Sequence, residues 1–412
     1  MQISQLYVYP IKSLRGVSLS EAELTSTGFQ YDRRFMLLKV DRAADGSPTL
    51  KNMHVPHFPE MSLFLTDLIY PTPTNHAPSK TLDGPPRTGS IIVTYRPPGA
   101  SPDDPTRTRT LQVPLTPDPR GLRKLPITLH RSPTTGYDMG PAYNDWFSAC
   151  FGYPVVLAYL GPHSRRVLGS FAPEKSPAHA AAAASVPVVS MRSVAVLAGV
   201  TLVLNVAGRV AGGEGEGAAL HGVVPGVIAT LAAALLSAAM ALWPWPWGGR
   251  ADERITFADT APYMLASTTS VDDVSARLPD GETMDVTKFR ANIVVSGAAR
   301  AFEEDFWAEL TVGDGREAAR LLLTANCVRC QSINVDYATG TMGKGESGNV
   351  LKKLMKDRRV DRGMKYSPVF GRYVFLDRGS EHARVRVGDE VVVSRRVEDR
   401  MVYDWPGLTT LK

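Results

Sequence analysis

A chain of 412 residues has room for two or three domains of ordinary size. Hydrophobic residues make up 44% and charged residues 21%, which excludes a wholly disordered chain, a coiled coil and a polytopic transporter. The net charge of +5, from 46 basic and 41 acidic side chains, suits an anionic small ligand or an acidic protein surface and gives no case for nucleic acid. Three cysteines, Cys150, Cys327 and Cys330, are too few for a disulfide framework, so reduced thiols are expected.

Residues 1–20 alternate in strand fashion and show neither the charged nor the apolar region of a secretory signal, so the fold is expected to start close to residue 1. Residues 5–9, 17–24 and 34–40 read as strands, with Pro10 ending the first and Gly28 marking a turn. Residues 41–125 are rich in Pro, Thr, Asp and Gly and read as short strands joined by surface loops, with a mobile stretch at 71–86. Residues 141–151 read as a short amphipathic helix with Cys150 as a buried thiol on its apolar side.

Residues 171–251 differ from the rest. An alanine run at 180–184 leads into residues 193–208, which carry no charge, and a Gly/Glu-rich linker follows at 209–216. Residues 221–247 then contain no Asp, Glu, Lys or Arg and end in Trp-Pro-Trp-Pro-Trp. A membrane helix needs about 20 apolar residues, and tryptophans suit its interfacial end. The second run meets both conditions; the first is short for a span.

Beyond residue 252 the chain reads as globular again. Residues 268–278 read as a helix capped by Thr269 or Ser270, with Asp272 and Asp273 in its first turn. Residues 293–295 read as a buried strand. Residues 301–310 read as an amphipathic helix or turn with Glu303, Glu304 and Asp305 on a solvated face. Residues 321–324, 333–336, 373–376 and 391–394 read as strands, and several short strands with one or two helices suggest a barrel-like β domain.

Cys327-Val328-Arg329-Cys330 is the sharpest chemical feature. Structural zinc needs two more thiols or imidazoles, and a redox dithiol ordinarily opens a helix. A single thiolate ligand to a soft metal and a pair of core thiols both remain open. Polar clusters sit where apolar strands begin or end: Lys12-Ser13, Asp32-Arg33-Arg34, Asp259-Thr260 and Arg290-Ala291-Asn292. Together they offer charge-assisted donors for a phosphate, and singly each reads as ordinary surface charge. His54 and His57 have metal-like spacing, but Pro56 lies between them. Gly343-Lys344-Gly345 is too short for a phosphate loop.

YPIKS (9–13), YDRRFMLL (31–38), ITFADTAPYML (255–265), KFRANIVVSG (288–297), CVRC (327–330) and SPVFGRYVFL (367–376) stand in one order. In that order the chain resembles the MOSC proteins with an N-terminal MOSC β-barrel domain, in their amidoxime-reducing (mARC-like) branch. The resemblance covers roughly residues 1–170 and 252–395. It implies a mainly β fold with some α: an N-terminal MOSC β-barrel domain at 1–170, an apolar helical insert at 171–251, a C-terminal MOSC β-barrel domain at 252–398 and a tail at 399–412.

The resemblance further implies molybdenum–molybdopterin as cofactor, with Cys330 as the metal-coordinating and catalytic thiolate. Lys12, Ser13 and Arg34 match residues that hold the pterin and its phosphate, and Asp259 and Thr260 match cofactor contacts. Arg290 and Asn292 match a motif that usually reads F-R-P-N. Val328 and Arg329 flank the ligand, and Tyr373 matches a residue closing the site. Ala291 departs from the usual proline, and Val328 stands where a small polar residue is common.

The implied reaction is reduction of amidoximes, hydroxylamines or nitrite, with electrons from a cytochrome b5-type donor. A non-catalytic carrier of sulfur or molybdenum cofactor is the alternative. The length leaves no room for a pyridoxal-phosphate domain, so a full cofactor sulfurase is not expected. Because the matching residues flank the insert, residues 193–247 must cross a membrane twice or not at all. Two crossings, with Lys175, Arg192, Arg250 and Arg254 at their base, put the catalytic part on the cytosolic side of a membrane such as the outer mitochondrial one. No crossing makes the protein cytoplasmic.

Overall fold

A computed structural model of the chain describes residues 1–71, 89–99, 108–177, 179, 252–315 and 318–410. The apolar runs at 193–208 and 221–247, and all but the first residue of the 71–86 stretch, lie outside these residues. Among the described residues no helix is long and apolar enough to cross a membrane. Residues 1–180 and 253–412 form one compact unit.

Its largest sheet among the described residues has eight strands, in the order Val17–Leu19, Gln2–Val8, Ile293–Ser296, Tyr263–Ser267, Val369–Leu376, Ala319–Val328, Trp307–Val312 and Val391–Arg396. Every pair is antiparallel except Tyr263–Ser267 with Ile293–Ser296. The first strand of the chain thus sits inside a sheet built mostly from residues after 252, with Leu6 opposite Ile293. Alternation along Val369–Leu376 feeds a core on each face, and a register shift between Leu323 and Ala325 turns the strand Ala319–Val328 from one core to the other. Leu321, Leu323, Val374 and Leu376 join Ile3, Leu6, Trp307 and Leu310 on one side. Ala325, Cys327 and Phe375 join Phe171, Phe289, Phe370 and Trp405 on the other. Val369–Leu376 is buried at all eight positions, as suits a strand covered on both faces.

A five-stranded sheet runs in the order Lys124–Leu129, Ser132–Asp138, Val155–Tyr159, Phe35–Arg42 and Pro48–Asn52, and a three-stranded sheet joins Phe64–Ile69, Ser90–Tyr95 and Arg109–Pro114. Phe35 and Leu37 pack with Phe64, Ile91 and the helix residue Phe147, while Met36 and Leu38 pack on the opposite face with Leu125, Ile127 and Phe257. The helix Pro141–Phe151 has proline in its first turn and ends on Gly152 in the left-handed conformation (φ 78°). Cys150 in this helix is half-buried, not fully enclosed.

Two local expectations are corrected. The helix Thr268–Ser275 is capped by Ser267, whose hydroxyl accepts the Ser270 N–H; Ser267 ends the preceding strand with extended backbone, which is the conformation an N-cap takes. Glu303, Glu304 and Asp305 are buried, in a 3-10 turn (Glu303–Phe306) that feeds the strand Trp307–Val312. Asp305 accepts two hydrogen bonds from Arg358 at 2.8 and 2.9 Å and one from Arg400 at 2.7 Å, and its carbonyl accepts from Arg372 at 2.7 Å. Glu304 accepts from Ser267 and Ser270. Buried carboxylates survive where cations and hydroxyls meet them. The last described residues pack inward: Met401, Tyr403 and Trp405 are buried.

Candidate functional site

Segments distant in sequence meet in a cleft of about 300 Å³, lined by Lys12, Ser13 and Arg33, by His54–His57, by His130, by Ala258, Asp259, Ala261, Tyr263 and Met264, by Phe289, Arg290 and Asn292, and by Cys327–Cys330 with Ser332 and Tyr373. Both sides of the 180–251 insert contribute. Four lining residues, Ser13, Arg33, His130 and Arg290, hold left-handed backbone at φ 71°, 49°, 49° and 57°. Non-glycine residues there cost about 1–2 kcal/mol each, and such conformations gather where a site dictates them.

Lys12 is buried, and its ammonium donates to Asp259 Oδ1. Burial pushes the Lys12 amine down to about 8, against the opposing pull of Asp259. Enclosure works to raise the Asp259 carboxyl, but Lys12 and His130 together hold it well below the usual carboxylate range. The loop carrying Asp259 is pinned by Arg165, a fully buried guanidinium that donates to the carbonyls of Leu129, Thr256, Ala258 and Asp259.

The cleft arginine of the Arg33-Arg34 pair is Arg33. It donates to the buried Asp32 carboxylate, to Asn292 Oδ1 at 3.1 Å and to the Arg290 carbonyl at 3.2 Å. Arg34 turns away, donating to the Gly161 carbonyl over the Tyr159 ring. Thr260 is buried outside the cleft lining. Asn292 lines the cleft with its amide committed: Nδ2 donates to Tyr7 O and Asp32 Oδ1, and Oδ1 accepts from Arg33 and from Met264 N. It locks the arginine turn to the two parallel strands.

Arg290 donates from Nη1 to the Leu14 carbonyl at 2.8 Å and lies over the Tyr9 ring at 4.4 Å. Arg329 donates to Cys327 Sγ at 2.8 Å and to the Phe289 carbonyl at 2.9 Å. The two cysteines differ in place. Cys327 ends the strand Ala319–Val328 in the core, while Cys330 is exposed at the cleft, 3.3 Å from the Ser332 hydroxyl. Val328 and Tyr373 complete the wall, and burial, with Cys327 nearby, raises the Tyr373 phenol well above its ordinary range.

Sequence reasoning placed Arg33 only in a polar cluster beside Arg34, left Cys327 between a core thiol and the neighbour of a ligand, gave no role to His130 or Ser332, and weighed His54 and His57 only for metal. Burial, then the Lys12 charge, pushes the His54 imidazole down to about 3, so this ring is neutral. Among the described residues no group of three or more His, Cys, Asp or Glu side chains is placed to hold a metal ion.

Arg290 Nη2 and Arg329 Nε are buried without a hydrogen-bond partner. An unpaired buried guanidinium N–H is costly, and an anion would satisfy it. Four cations line the cleft, Lys12, Arg33, Arg290 and Arg329, against one carboxylate in its wall, Asp259, and one buried behind Arg33, Asp32. With the accessible Cys330 sulfur, this donor set fits a phosphate-bearing ligand that also carries a soft metal.

The MOSC domain family matches residues 252–392, and the MOSC N-terminal beta barrel domain family matches residues 1–74, together over half of the chain. Human mitochondrial amidoxime-reducing component 1 is 34% identical over 143 residues, 34% of this chain and 40% of the human protein. Rat mitochondrial amidoxime reducing component 2 is 39% identical over 139 residues, 33% of this chain and 38% of the rat protein. Molybdenum cofactor sulfurase of Emericella nidulans is 38% identical over 110 residues, 26% of this chain and 13% of that protein. The chain thus spans about two fifths of the length of the amidoxime-reducing relatives it matches. Strands that alternate between paired cores, a cleft that draws on both matched regions and the two family matches agree: the chain belongs to the MOSC-domain proteins that carry the N-terminal MOSC β-barrel domain.

Proposed function

We propose that the chain is a molybdenum-cofactor-dependent oxidoreductase that reduces N-oxygenated compounds such as amidoximes, hydroxylamines or nitrite. The observation that carries this reading is the exposed Cys330 thiol sharing one cleft with the unpaired guanidinium nitrogens of Arg290 and Arg329. The names of the human and rat relatives support it. When bound, molybdenum–molybdopterin supplies the two-electron centre that takes oxygen from nitrogen.

The chain's own part is holding and shaping. Cys330 offers the soft thiolate, and Lys12, Ser13, Arg33 and Arg290 offer cations and a hydroxyl to a phosphate. Asn292 and Arg165 fix the loops that carry those groups, and Tyr373 walls the cleft on the Cys327 side. Electrons arrive from a cytochrome b5-type donor. Residues 193–247 tether the protein to a membrane with the cleft on the cytosolic side, which carbonate extraction of cell membranes tests.

The central experiment pairs elemental analysis with turnover. Purified protein should hold about one molybdenum per chain and consume benzamidoxime when given a reduced b5-type donor. Cys330→Ser should keep its circular dichroism spectrum and lose turnover; unchanged turnover would refute the ligand assignment. The fungal sulfurase relative favours a second reading, a carrier of cofactor or sulfur. In that case the protein holds molybdenum and consumes nothing.

A further inference from the structure

The reductase reading leaves a proton balance to close. Reduction of R₂N–OH follows R₂N–OH + 2 H⁺ + 2 e⁻ → R₂NH + H₂O: the N–O bond breaks, an N–H bond forms and oxygen leaves as water. A one-electron haem or viologen donor supplies the electrons and no protons, so the cleft must deliver them. Most of its titratable groups are committed. His54 is neutral, Asp259 is ionised, Lys12 neutralises Asp259, and Tyr373 holds its proton.

His130 stands apart. Its Nε2 lies 3.3 Å from Asp259 Oδ1, the same oxygen that meets Lys12, and its ring is 6.0 Å from that of His54. The side chain is 27% exposed, so it touches both cleft and solvent. Nδ1 has no partner among the described residues. Arg165 approaches from behind, through the Leu129 carbonyl.

The backbone presents this ring at a cost. His130 and Arg131 form a two-residue turn between the strands Lys124–Leu129 and Ser132–Asp138, with φ 49° and 63°. Such turns ordinarily take Asn-Gly, because both positions need positive φ. Contacts from outside hold it. Trp405 Nε1 donates to the His130 carbonyl at 2.7 Å, Arg165 donates to Leu129, and the Arg131 side chain packs directly on Gly407.

We propose that His130, oriented by Asp259, is the proton-delivering residue of the cleft; the assignment rests on the reductase reading. The Asp259 carboxylate accepts the Nε2–H and stabilises the imidazolium, as carboxylates do for catalytic imidazoles. The imidazolium gives its Nδ1 proton to the departing oxygen and regains one from solvent.

His130→Gly removes the imidazole and suits the turn's positive φ, so it should fold at least as well as the parent. In cofactor-loaded protein with reduced methyl viologen, molybdenum content should hold while benzamidoxime turnover falls about 100-fold. Added imidazole should restore part of it. In ¹⁵N spectra of the protein without cofactor, His130 should show the Nε2-protonated tautomer, and Asp259→Asn should disturb it. Parent protein that holds molybdenum and reduces no N-hydroxy compound overturns the reductase reading, and this role with it. Parent turnover that survives in His130→Gly, a loss that imidazole does not rescue, or an Nδ1-protonated ring overturns this role alone.

Discussion

Lys12 is a buried amine that burial pushes down to about 8, below the ordinary lysine value of 10.5. Between those values the unfolded chain binds more protons, so deprotonating Lys12 adds stability as pH rises from about 8 to 10.5. Anion binding runs the other way, since the charge that meets the ligand disappears above pH 8. Sulfate does not titrate in this range, so its affinity for the protein without cofactor should fall as pH goes from 7 to 9.5. The fall should be at most about tenfold per unit, and Lys12→Gln should flatten it. Isothermal titration at several pH values decides; affinity that is level through pH 9.5 would remove Lys12 from the anion site. That Cys330 stands at one cleft with the polar clusters was legible at this scale because a C-x-x-C within six ordered motifs is specific. The choice between Arg33 and Arg34 was not, because it rests on partners far away in sequence, Asn292 and Arg290 for the first and Gly161 for the second.

The 3-10 turn Glu303–Phe306 shows what a linear reading misses in an element. A run of three acids looks like a solvated face, and its partners Arg358, Arg372 and Arg400 lie more than fifty residues away in sequence. Removing the shared acid leaves the buried Arg358 guanidinium without its carboxylate, with only the Val369 carbonyl to meet Nε. Asp305→Ala should therefore destabilise the fold by about 3–5 kcal/mol, read as a lower midpoint in guanidinium unfolding; a loss under 1 kcal/mol would mean the network contributes little. Two kinds of strand were legible: the alternating end of Gln2–Val8, as a half-buried strand gives, and the continuous apolar run Phe35–Leu38, as a strand covered on both faces gives. The His130-Arg131 turn was not, since its sequence lacks the glycine or asparagine that signals positive φ. It is held by Trp405 and Gly407, which were read as tail.

In the whole molecule, residues before and after the insert share one sheet and one cleft. The ladder that closes across it is short, Arg165 opposite Ile255 and Arg166 opposite Arg254. Exchanging residues 181–251 for a flexible linker of about ten residues should leave the melting temperature within a few degrees and the molybdenum content unchanged. Differential scanning calorimetry and elemental analysis check this, and a collapse of either would make the segment part of the fold. That the two flanks cooperate was legible from the order of motifs on either side.

Ring closure in a polymer depends on contour length only through a logarithm, so doubling the stretch between Arg166 and Arg254 adds only about 0.6 kcal/mol. Drift is therefore free to lengthen, trim or replace what lies between these two bookends. The MOSC body offers a berth for foreign cargo, and a reporter domain spliced there should ride along without dimming the chemistry next door.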